Sequence, residues 1–260
     1  MKAGILILLA GIVFLGLSGC GLMSKKHLKT KSETHQIDLN GKNKVRLENV
    51  SGNISIVHGQ DSNSLTIKAT KEIKVKKKYL DTPFDEIEVV IDSNENSINI
   101  RTEINDKRED GFFKVNIGND ARVDYVITVP EGFDLEIENI NGNITSDQLN
   151  NDVKIDLVHG KVDLEKFTGK LECEIINGTF TGHVDSTSGM EVNTVNGSIT
   201  LYLNNYMNAN VKAETTNGKI TDENLQFNNT VKEKGEFKGK LGSGEDKVNI
   251  NLETINGKIK

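Results

Sequence analysis

The chain has 260 residues and a formal net charge of -6, with no Trp, 5% aromatic residues and two prolines, Pro83 and Pro130. An acidic chain without aromatics interleaved among its basic residues is a poor partner for nucleic acid. A globular core of this length normally holds more large aromatics, whereas stacked rows of Ile, Val and Leu fill a narrow repeat architecture, so one elongated domain, or a repeat domain with an irregular amino-terminal part, is expected.

Lys2 precedes an apolar run from Ile5 to Leu17, too short and too abruptly ended for a stable membrane span. The run closes with Leu17-Ser18-Gly19-Cys20. This resembles a bacterial lipobox, which implies a lipoprotein signal peptide over 1–19 and a mature chain beginning at acylated Cys20. An ordinary secretory peptide with an incidental cysteine is the alternative. Several acyl chains would hold the protein on the outer face of a bacterial membrane, where a single chain would be marginal. Residues 20–34 then form the lipidated cysteine and a tether, with Lys25, Lys26, Lys29 and Lys31 and no periodicity. Those lysines either rest on anionic headgroups or are simply solvated.

A β-strand repeat domain is expected over 35–260, irregular over 35–122 and regular over 123–260. Within its first part, Lys68, Lys71, Lys74, Lys76, Lys77 and Lys78 surround Ile73 and Val75. They read as a strand guarded against edge pairing, or as a patch for anionic polymer or membrane. Ile87, Val89 and Ile91 alternate in one strand and Ile98, Ile100 and Ile104 in another, with a turn over Asp92 to Asn96. Asn105 to Gly111 is a charged loop. Val123, Tyr125, Ile127 and Val129 make a strand that passes through Pro130-Glu131-Gly132 into Phe133, Leu135 and Ile137.

Seven times a glycine follows a small polar residue or histidine between apolar flanks: Gly52, Gly142, Gly160, Gly178, Gly197, Gly218 and Gly257. From Gly142 the intervals are 18, 18, 19, 21 and 39 residues, the last close to two periods. Self-similarity near twenty residues marks a stacked repeat. The residues seven and five before each glycine are apolar, from Val45 and Leu47 to Ile250 and Leu252, which gives each copy a half-buried strand. The residue four before is acidic in six copies, Glu48, Glu138, Asp156, Glu174, Glu214 and Glu253, and Asn193 in the seventh.

Asn-Gly between apolar runs usually signals a two-residue hairpin. In such a hairpin the residue before Asn shares a face with the residue after Gly. Here Ile140, Val195 and Ile255 are apolar while Asn143, Ser198 and Lys258 are polar, and the matching apolar residues lie two beyond the glycine, at Ile144, Ile199 and Ile259. The pattern instead predicts a strand bent at Asn-Gly, with the glycine inward where a side chain would crowd the core, and with the alternation slipping by one at the corner. The expected fold is all-β, a β-solenoid or β-helix-like stack with coils of about 18–21 residues and two or three short strands each. A twisted β-sandwich is the alternative, excluded if the strands stack parallel and in register. The solenoid would align Asn141, His159, Asn177, Asn196, Asn217 and Asn256 in a hydrogen-bonding column.

No phosphate-binding loop, histidine pair at metal spacing or Gly-x-Ser-x-Gly elbow occurs in the sequence, and His27, His35, His58, His159 and His183 are scattered. No catalytic residue or cofactor is therefore nominated. Cys173 occupies a strand position filled elsewhere by Ile, Val or Leu, so it reads as core; once Cys20 is acylated it has no disulfide partner in the chain. Stacked carboxylates need counterions, which makes Glu138, Asp156, Glu174, Glu214 and Glu253 a candidate calcium column. Lys161, Lys219 and Lys258 are local counterions, the nonapeptide of calcium-binding solenoids is absent, and a solvated acidic face is the favoured reading.

The strand ending Val129-Pro130-Glu131-Gly132 and continuing through an alternating strand into Asn-Gly repeats resembles a bacterial adhesin-like family of unknown function with β-strand repeats. The likeness spans Val123 to Lys260, and Gln36 to Arg122 more loosely. It implies an envelope-located β-repeat domain, often membrane-anchored and sometimes linked to envelope stress, and it brings no catalytic residues. The expected function is a non-enzymatic, membrane-anchored binding or scaffold protein that meets an envelope polymer or protein. A polysaccharide-acting β-helix enzyme, by fold analogy alone, and an accessory component of envelope-stress sensing are the alternatives.

Overall fold

The computed structural model describes residues 6–8, 26–61, 63–81, 84, 87–104, 120–244 and 248–260. Cys20 with its lipobox, and the charged loop from Asn105 to Gly111, lie outside the described residues.

Each regular coil contributes one strand to each of two sheets, and the Asn-Gly corner joins them. In the first sheet Leu135, Val153, Leu171, Met190 and Ile250 stand side by side in parallel register, followed by Val211. In the second, Ile54, Ile144, Val162, Phe180, Ile199, Ile259 and Ile220 do the same. Parallel, in-register stacking establishes the β-solenoid and excludes the sandwich. The rows seven and five before each glycine line the core, with Leu47, Ile155, Leu171 and Val192 fully buried. Each such aliphatic side chain contributes about 1.5–3 kcal/mol by leaving water.

The coils do not stack in sequence order. The last strand, Val248–Ile259, lies between Gly189–Asn196 and Ala209–Ile220. The interval of 39 residues is therefore not a skipped coil. It holds an antiparallel hairpin, Phe227–Glu233 and Glu236–Leu241, which covers the far edge of Ala209–Ile220 and leaves the near edge to the chain's end.

At every corner the glycine is needed along the stack rather than toward the core, correcting the inward placement. A Cβ on Gly160 would lie 1.9 Å from the carbonyl oxygen of Gly142, and one on Gly178 would lie 1.9 Å from that of Gly160. The same contact would be 1.5 Å for Gly197 on Gly178 and 1.7 Å for Gly257 on Gly197. Rungs about 4.8 Å apart leave no room for a methyl group pointing at the next backbone.

The amino-terminal end departs from expectation in two places. Residues 26–34, expected as tether, form most of the strand Lys26–Asp38, which pairs antiparallel with Ser64–Lys76 over its whole length. The short strand Leu6–Leu8 lies antiparallel on Thr34–Gln36. Ser64–Lys76 is not an edge, because Ala121–Pro130 pairs with its other side. Its lysines are thus not edge guards, and Lys71 falls in the buried row of Leu65, Ile67, Ala69, Ile73 and Val75. Ile87–Ser93 and Ser97–Ile104 form the expected hairpin, whose second strand stacks parallel on Lys44–Ser51.

Candidate functional site

The outward face of the first sheet carries three columns. Register places Glu48, Glu138, Asp156, Glu174, Asn193, Glu253 and Glu214 in one line, as the sequence spacing predicts apart from the order of the last two. The residue three before each glycine points inward, since Leu157, Ile175, Thr194 and Thr254 are buried. The alternation therefore holds up to three before the glycine and slips by one across the corner, where the residue two beyond it, Val162, Phe180, Ile199 or Ile259, is the next one buried. The residue two before the glycine faces out, and Ile140, Ile176, Val195 and Ile255 are 44%, 47%, 38% and 42% exposed. With half-buried Val50 and Val158 they make an aliphatic column about 24 Å long at the strand spacing.

This column was legible in principle. The rows seven, five and three before each glycine already fill the core side, so parity puts the next apolar residue outside. Grouping it with the glycine's other apolar flank hid it.

The third column is the amide ladder. Asn217 Nδ2 donates to Asn256 Oδ1 at 2.9 Å, Asn256 Nδ2 to Asn196 Oδ1 at 2.9 Å, and Asn196 Nδ2 to Asn177 Oδ1 at 2.9 Å. Asn177 Nδ2 then lies 3.2 Å from His159 Nδ1. The amides all point one way, so His159 terminates the ladder as acceptor.

Between the carboxylates and the aliphatic column runs an open groove of about 580 Å³, lined at one end by Arg101 and Glu48 and farther along by Ile140, Asp156 and Ile176. Arg46 bridges Glu48 at 3.0 Å and Glu138 at 2.5 Å. Burial alone would lower the Arg46 guanidinium, but Glu138, Glu136 and Glu48 raise it above its ordinary value. Lys154 lies 3.4 Å from Asp156, and Lys212 lies 2.7 Å from Glu214. Glu174 and Glu253 have no ion pair among the described residues. The column is neutralised toward its ends and negative in its middle. Asn139, buried beneath the groove, donates to the Gly52 carbonyl at 3.0 Å and has no partner for its Oδ1 among the described residues.

The five carboxylates considered for calcium stand one per rung, with cations set beside three of them. No group of three acidic, His or Cys side chains converges among the described residues. Cys173 is buried, and burial, then the charges of Asp156 and Glu174, push its thiol far above the ordinary range. A thiol so raised is inert at neutral pH.

The family model Toastrack DUF4097 matches residues 143–260, which bears out the resemblance to a β-repeat family of unknown function. No curated relative matches the chain. Among solved structures, a candidate cell adhesion protein from Clostridium sporogenes is similar at 17% identity and a TM-score of 0.48, covering 89% of this chain and 98% of that one. A candidate adhesin from Bacteroides fragilis has 14% identity and a TM-score of 0.34, covering 88% and 96%. Another, from Parabacteroides merdae, has 12% identity and a TM-score of 0.30 over the same shares.

Proposed function

We propose that this chain, with its Toastrack DUF4097 segment, is an extracytoplasmic binding or scaffold protein without catalytic activity, anchored to a bacterial membrane through acylated Cys20. The observation that carries the binding reading is the exposed aliphatic column lying parallel to a carboxylate column on one sheet face. Isolated exposed apolar residues are ordinary, but a contiguous stripe on a soluble domain marks a contact surface. The charge pattern selects a partner with apolar groups and spaced cations. The rigid spacing of the rungs favours an elongated partner over a small molecule. The lipobox residues Leu17 to Cys20 support the anchor.

One experiment in cells tests both parts. The triple variant Ile140→Lys, Ile176→Lys and Ile255→Lys changes only exposed positions, so it should fold, remain on the membrane and lose the crosslinked partners of the wild type. Cys20→Ala should instead release the chain from the membrane fraction. Unchanged crosslinks in the folded triple variant would sink the binding-face reading, and membrane retention of Cys20→Ala would sink the anchor.

A further inference from the structure

The core is not closed where the stack ends. At the position five before the glycine the other coils carry Leu47, Ile137, Ile155, Cys173, Val192 and Leu252, but the terminal coil carries Ala213, with Ala209 and Val211 beside it in the same inner row. The covering hairpin adds Gly239 opposite Val211. A Cβ on Gly239 would come within 2.9 Å of the Phe227 ring. Phe227 and Phe237 stand edge to face at 5.0 Å and 74°. The result is a cavity of about 320 Å³ between the two sheets, walled by Leu201, Val211, Ala213, Leu252 and the two phenylalanine rings. Leu201, Val211 and Leu252 are 9%, 7% and 5% exposed, whereas Ile199 and Ile250, on the same strands as Leu201 and Leu252, have no exposure.

We infer that this end cavity is a binding site for a single linear alkyl chain with an uncharged or zwitterionic head. Its size lies at the lower end of ligand pockets, and apolar cavities exclude water and accept apolar guests. The slot is one side-chain layer thick, set by a sheet separation of about 10 Å, which suits a chain rather than a globular ligand. The head preference comes from the mouth. Lys260 Nζ lies 3.1 Å from Glu223, and Asp222 is taken by Lys232 at 2.8 Å. Among the described residues the mouth therefore offers a carboxylate only cations that already face Glu223 and Asp222. The inference is independent of the outer binding face.

Displacement of Nile red from the intact mature chain tests it, with 1-dodecanol, dodecylphosphocholine below its micelle threshold, and dodecanoate as competitors. The first two should displace the dye from one site per chain. Dodecanoate should be at least about tenfold weaker, because an anion there would be left unpaired. Ala213→Leu, which restores the residue type of the neighbouring coil, should abolish dye binding while keeping or raising Tm. Dye binding unchanged in folded Ala213→Leu would overturn the site, and equal competition by dodecanoate would overturn the head preference. Should Ala213→Leu not fold, Phe237→Trp gives the chain its sole Trp in the cavity wall. Its fluorescence should be quenched by 11-bromo-1-undecanol, and absence of quenching would overturn the site as well.

Discussion

The regular coils and the amino-terminal end solve the same problem by different means. In the stack every rung meets a near copy of itself, so one interaction serves many times. Thr194 Oγ1 donates to Thr254 Oγ1 at 2.8 Å, Thr254 Oγ1 donates to the Gly197 carbonyl at 2.9 Å, and Thr215 repeats the carbonyl contact on Gly257 at 3.2 Å. At the amino-terminal end no copy follows, and the stack is closed with antiparallel strands and particular polar contacts. Asn49 Nδ2 donates to the Val123 carbonyl at 3.1 Å and its Oδ1 accepts from Thr102 at 2.9 Å, while Thr102 lies 2.8 Å from the Tyr125 hydroxyl. Lys71 reaches Glu33 at 2.7 Å inside the end layer. Repetition makes contacts interchangeable, whereas an end depends on individual residues.

The largest effect is expected where the stack admits no substitution at all. Gly178→Ala would put a methyl group against the Gly160 backbone and force two rungs apart. It should cost roughly 3 kcal/mol or more, in the range of severe core disruptions. Gly189→Ala lies on a neighbouring rung, where a Cβ would meet nothing within 4 Å. It should change stability by less than about 0.5 kcal/mol. Urea denaturation of the two variants compares them directly, and equal losses would show that the glycine column is not set by rung stacking.

The same division explains what the sequence revealed. The inner rows, the corner glycines, the amide column and the hairpin over 87–104 all repeat or alternate, so spacing alone exposes them. Three features carry no such signal. The insertion of Val248–Ile259 between earlier strands depends on a hairpin claiming one edge of Ala209–Ile220, which is a long-range choice. Lys26–Asp38 lacks apolar alternation because Lys29, Lys31, Glu33 and His35 occupy every second position, so its pattern is that of a tether. Lys71 lies three residues from each of its exposed neighbours Lys68 and Lys74, and that odd interval turns it inward. For the binding face, the carboxylates stand out by spacing as a column, while the aliphatic stripe is separated from the core rows only by its parity with them.

The second expected effect lies in the end layer. Lys71 and Glu33 have side chains only 7% and 13% exposed, so removing one leaves the other charge poorly solvated. Lys71→Met should cost about 2–3 kcal/mol at neutral pH, somewhat below a fully buried pair, and adding Glu33→Leu should recover most of it. Burial by itself would raise the Glu33 carboxyl, but hydrogen bonds and charge from His35 and Lys71 hold it below its ordinary value. A lowered folded-state pKa makes this contribution complete above the ordinary glutamate value of about 4.3. It is lost as pH falls through the lowered folded value. Thermal melts in acid should thus fall less steeply for Glu33→Gln than for the wild type. Identical slopes would show that the pair contributes nothing to acid stability.

The smallest effect belongs to the exposed amide ladder, where every contact competes with water. Asn196 donates to Asn177 and accepts from Asn256, so Asn196→Ala removes two hydrogen bonds and should cost about 1 kcal/mol. Asn196→Asp tests the direction of the ladder. Aspartate still accepts from Asn256, but it cannot donate, and it sets its oxygens against Asn177 Oδ1. A ladder that runs one way therefore predicts a greater loss for aspartate than for alanine at neutral pH, with the difference disappearing once the aspartate is protonated. If the two variants melted together across that range, the amides would be exchanging orientation freely, and the column would be held by the backbone of the rungs alone.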